Sequence, residues 1–150
     1  MDMVSGAVSR VRSLGIATVA VFGLYTTWLV VSDDEPLDTG AWIYVGVSVA
    51  IAAAIWLLAV ARPLVRETGN TPALVGLIVG IVGVLANVAF WAGFNGFLGA
   101  AALVLGIEGT RRAAGGRGRA GMAKAATILG GISVAAFVVF WIGFAISDLT

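Results

Sequence analysis

Three sets of residues in this chain have the types and spacing that chemistry requires. Asn87 stands in an apolar stretch, four residues beyond Gly83. A membrane-buried amide usually bonds across helices, for about 0.6–2 kcal/mol; the other reading is a contact to a substrate or ion. Asp33, Asp34 and Glu35 form one acidic cluster and offer oxygen ligands of the kind a divalent cation takes. They lack the alternating ligand pattern of a calcium loop, so a solvated acidic loop is expected instead. Arg111, Arg112, Arg117, Arg119 and Lys124 fall in a glycine-rich segment beside an apolar one. Each such residue near a membrane surface gains about 1 kcal/mol from anionic lipid headgroups. With no aromatic interleaved, nucleic acid is not an expected partner.

Catalytic groups are scarce. The chain has no His and no Cys, which removes the usual general base, thiolate nucleophile and soft metal ligands. Glu108 lacks a His, Lys or second-acid partner and is better placed to balance Arg111 or Arg112 one helical turn on. No phosphate-cradling G-x-x-x-x-G-K-[ST] run is present. The reading is therefore non-enzymatic, without metal or cofactor.

These residues need elements to position them, and composition names the solvent. Hydrophobic residues are 60% of the 150 and charged residues 11%, against roughly 45–50% and about 25% in a soluble domain. Apolar runs near the length needed to cross a ~30 Å hydrocarbon core recur along the chain. The pattern predicts an all-α integral membrane protein with five transmembrane helices, at 14–31, 42–60, 73–91, 97–110 and 125–146. The first is expected to be an uncleaved anchor, since its apolar run exceeds a signal-peptide core. As one helix, residues 73–107 would reach about 52 Å, too long for a single crossing. Ala92-Gly93-Phe94-Asn95-Gly96 is the expected turn, with Asn95 a turn residue. Thr71 reads as an N-cap ahead of Pro72, and Pro63 as lying past the second helix.

Charge then gives orientation. Arg10 and Arg12 precede the first span, Arg62 and Arg66 follow the second, and the remaining basic residues lie between the fourth and fifth. All nine thus fall on one side of the five-span arrangement, the acidic loop on the other. Lys/Arg bias places that side in the cytoplasm, N-in and C-out, in a cell (inner) membrane. Trp28, Trp42, Trp91 and Trp141 land at the outer interface, and Trp56 near the inner one. The expected organisation is a cytoplasmic segment 1–13, a two-helix hairpin 14–60 with an acidic outer loop, and a Gly/Ala-rich three-helix unit 72–147.

That last unit contains a repeat. Offsetting the chain by 50 aligns 76–94 with 126–144, identical at nine of nineteen positions, including F-W-x-G-F in both copies. Both run from inside to outside, so the repeat is parallel. Helices in lipid associate where small residues let backbones approach. Gly76, Gly80, Gly83 and Asn87 mark one such face; Gly99, Ala102 and Gly106 another; Ala123, Thr127, Gly131 and Ala135, in steps of four, the expected third.

Two segments also resemble a known family. Ala73-Leu-Val-Gly-Leu-Ile-Val-Gly80, and Leu105-Gly-Ile-Glu-Gly-Thr-Arg-Arg112 leading into Gly121-Met-Ala-Lys-Ala-Ala-Thr-Ile-Leu-Gly130, look like the small bacterial membrane proteins catalogued as domain of unknown function 4190. The resemblance covers 72–146 and implies a small-residue helix, a short helix ending in a basic turn, and a third helix; it lends no catalytic residue. The expected role is a scaffold or accessory subunit packing with other membrane proteins or with itself, in contact with the bilayer and anionic headgroups. The alternative is a small oligomeric transporter or channel with a polar path near Asn87.

Overall fold

A computed structural model describes residues 2–31, 39–65, 69–88 and 94–147, with side chains from 13 onward except at 14, 29, 144 and 145. Every regular element among them is helical: α1 (Asp2–Val31), α2 (Thr39–Ile55), α3 (Arg62–Val65), α4 (Thr71–Leu85), α5 (Phe94–Arg112) and α6 (Ala120–Ser147). Three continuous stretches are long and apolar enough to cross a membrane: Thr39–Val65, Thr71–Val88 and Ala120–Gly143. Gly15–Trp28 is a shorter apolar segment within α1. The acidic run 33–38, Arg66, Trp91 and the first two residues of the expected turn, Ala92 and Gly93, lie outside the described residues.

The chain forms two compact units, Met1–Val65 and Arg66–Thr150. In the first, α1 packs on α2 and on the π-helical turn Trp56–Ala61 that joins α2 to α3. The sequence reading placed Pro63 beyond the helix; instead the helix runs through it and Pro63 is buried in α3. Proline removes one backbone donor and crowds the carbonyl four residues back. A wider i→i+5 turn directly upstream absorbs that crowding, so the helix continues. Trp56, expected at an interface, is 4% exposed and sits against Gly15, where any side chain would collide with the indole.

In the second unit α4, α5 and α6 pack pairwise. As α4 advances from Gly76 to Gly83, its neighbours on α5 run from Leu105 back to Leu98, and on α6 from Ala126 forward to Ser133. So α5 is antiparallel to both, and α4 and α6 are parallel. Gly76 lies beside Ala126 and Gly83 beside Ser133, which are the partners of the 50-residue offset. The aligned copies therefore stand level with one another.

They part company at their ends. α4 stops at Leu85 and residues 86–88 tighten into a 3-10 turn, whereas α6 continues unbroken to Ser147. The divergence coincides with Asn87, whose counterpart is Phe137. The Asn87 amide folds back onto its own helix, while the Phe137 ring lies over Gly96. An amide that caps local carbonyls favours a helix end; an aromatic gains only by extending the packed surface. The expected turn also shifts. α5 begins at Phe94, so Asn95 and Gly96 belong to its first turn rather than to a loop.

Candidate functional site

The most constructed part of the molecule is the seam where α4, α5 and α6 meet. Gly76, Gly80 and Gly83 are buried on α4. A Cβ on Gly76 would come within 2.8 Å of the Leu105 Cβ, and one on Gly80 within 3.0 Å of the Leu129 Cβ. The α5–α6 contact is closer still. A Cβ on Gly99 would lie 3.0 Å from the Gly130 carbonyl oxygen, and one on Gly106 would lie 2.6 Å from the Thr127 amide nitrogen. Added on Gly130, it would meet the Leu103 amide nitrogen at 2.6 Å. These obstacles are backbone, which cannot swing aside as a side chain can. Gly109 completes the stripe, pressed between Ala73 and Ala123.

The third face needs correction. Of the four-step ladder Ala123, Thr127, Gly131 and Ala135, the first two reach the seam, but no atom lies within 4 Å of a Cβ built on Gly131, and Ala135 is exposed. The inward residues are Ala123, Ala126, Gly130 and Ser133. Each four-residue step overshoots a full turn by about 40°, so three in succession rotate roughly 120° off the starting face. Alternating steps of three and four hold the face. The repeat alignment carried the signal, because it pairs Gly130 with Gly80.

At one end of the seam is a neutral polar cluster. Asn95 is 1% exposed, and its Nδ2 donates to the Asn87 Oδ1 at 2.8 Å. The Asn87 Nδ2 donates to the carbonyls of Val84 at 3.1 Å and Gly83 at 3.3 Å. Ser133 is fully buried, with its hydroxyl 3.3 Å from where a Gly83 Cβ would be. The Asn95 Oδ1 and Ser133 Oγ have no hydrogen-bond partner. Asn87 therefore joins α4 to α5 through Asn95, a partner that the turn reading of Asn95 concealed.

The opposite end is closed by a residue the sequence reading passed over. Asn70, not Thr71, is the N-cap of α4. Its Nδ2 donates to the Gly109 carbonyl at 2.8 Å and the Gly118 carbonyl at 2.7 Å, which clasps the start of α4 to the end of α5 and to the following turn. The signal was an asparagine directly before Thr-Pro. The turn itself reverses direction at Gly116, Gly118 and Arg119, all with φ between 62° and 83°.

The five basic residues divide here. Arg111, Arg117, Arg119 and Lys124 are exposed. Arg112 is half-buried, and its Nε donates to the Glu108 Oε1 at 3.0 Å, one helical turn back. The site has hydrogen-bonding groups of neutral charge at one end and a cationic rim at the other. No protein-family model, curated protein or solved structure matches this chain.

Proposed function

We propose that this chain is a five-span inner-membrane protein, N-terminus cytoplasmic, that serves as a non-enzymatic scaffold or accessory subunit. The observation that carries the reading is the face of α6 left over after the seam is built. Gly131 and Ala135 form a small-x-x-x-small step that nothing in the described structure covers. In lipid, where apolar side chains gain little by leaving the tails, such a step is where another helix can bring its backbone close. The cationic rim at the α5–α6 turn fits a cytoplasmic surface with anionic headgroups, since Lys/Arg bias orients membrane proteins.

The test is co-purification from native membranes with site-directed crosslinking at α6. Gly131→Leu and Ala135→Leu are expected to abolish a stoichiometric crosslinked partner, or a crosslinked second copy, while the thermal melt in detergent stays unchanged. Unaltered crosslinking in both variants overturns the reading. Reporter fusions at the two termini test the span number: opposite compartments are expected, and the same compartment defeats the five-span arrangement.

The two unpartnered oxygens on Asn95 and Ser133 favour the second reading, a small transporter or channel with a polar path near Asn87. Asn87→Leu separates the two in a proteoliposome flux assay. Loss of flux with an intact bundle supports the path; no flux in the parent protein removes it.

A further inference from the structure

Between α1 and the helix formed by α2, the π-helical turn and α3 runs an apolar groove of about 710 Å³. Val19 and Gly23 line it from α1, Ala53, Leu57 and Ala61 from the other side, and Gly15 and Trp56 meet in its wall. From Gly15 to Gly23 the groove follows α1 for about 12 Å at 1.5 Å per residue. That is close to half of the ~30 Å hydrocarbon core, the depth of one leaflet. The facing helix lines it from Val49 to Val65, roughly 24 Å by the same rise. Spread over those lengths, the volume gives a mean section of roughly 30–60 Å². The groove is long, narrow and apolar, a shape that suits extended hydrocarbon chains.

Charge at its end selects among hydrocarbon ligands. Arg62 is exposed and follows Ala61, with Val65 one turn on; both neighbours line the groove. The groove is thus basic beside Arg62 and apolar along its length. We infer that this groove holds the acyl chains of an anionic phospholipid from the inner leaflet, its headgroup at Arg62. The inference rests on the membrane reading above and adds a specific lipid site in the first unit, apart from the cationic rim of the second.

The test is native mass spectrometry of the full chain released from nanodiscs containing equal phosphatidylglycerol and phosphatidylcholine. Retention of one phosphatidylglycerol per chain, over phosphatidylcholine, is the expected result. Arg62→Gln should weaken that retention about fivefold, the worth of one basic residue near a lipid surface. Ala20→Phe fills the groove from an exposed position and should eliminate it; Val47→Phe, exposed but outside the groove, should leave it unchanged. Equal retention of both lipids, retention in the Ala20→Phe chain with an unaltered melt, or a second copy crosslinked through Ala20 overturns the site. Sedimentation with carbonate-washed membranes is scored in parallel. A chain absent from that fraction defeats the membrane reading itself, whereas a membrane-bound chain without retained lipid defeats only the groove.

Discussion

At the scale of single residues, adjacent glycines in α6 have opposite roles. Gly130 faces the Leu103 amide, whereas Gly131 faces open space. Gly130→Ala should force α5 and α6 apart at a cost of about 1–3 kcal/mol, the usual penalty of overpacking. Gly131→Ala should be neutral or stabilising by up to about 1 kcal/mol, through helix propensity alone. Chemical unfolding in mixed detergent micelles compares the two directly. Asn70 gives a second prediction. Its amide donates to two carbonyls from separate elements, so Asn70→Ala should cost about 1–2 kcal/mol in the same assay. Asn70→Asp should be no better, because a carboxylate cannot donate to a carbonyl. The residue chemistry was only partly legible beforehand. Glycine spacing on α4 could be read because alternating steps of four and three keep one face. The partnership of Asn87 with Asn95 could not, since it depends on where α5 starts.

Elements were more legible than their ends. Apolar runs separated by charged or glycine-rich segments mark where helices must be, because lipid leaves no other way to satisfy the backbone. Ends are decided by local bonds that hydropathy does not register, as at Asn87, or by backbone adjustments such as the π-helical turn before Pro63. That turn yields a prediction. Pro63→Ala restores a donor and relieves the crowding, so the segment Trp56–Ala61 should relax toward regular α-helical pairing. Residues downstream would then rotate relative to α1. A crosslink introduced between Ile16 and Ala61, which line the same groove, should form efficiently in the parent chain and lose efficiency in the variant. Equal efficiency would mean that proline is not what sets the turn.

For the whole molecule, the proposed five-span arrangement makes charge placement set orientation and packing set cohesion, and the two are separable. The acidic run 33–38 contains no basic residue. Placing four lysines there should invert or scramble the reporter pattern at the termini, because short-loop Lys/Arg content determines which side is retained. The α4–α5–α6 seam contains no ionisable group that depends on that orientation, so its detergent stability should be unchanged. The compact unit Arg66–Thr150 owes its internal arrangement to glycine contacts and to the hydrogen bonds of Asn70, Asn87 and Asn95.

The level pairing of α4 with α6 also bears on ancestry and assembly. Two like segments that lie side by side, pointing the same way at equal depth, have the geometry of a parallel homodimer whose subunits became joined by an intervening antiparallel helix. A synthetic peptide spanning Ala120–Ser147 should therefore recognise its own kind head beside head in a bilayer, reproducing without the linker what the fused protein does in one chain.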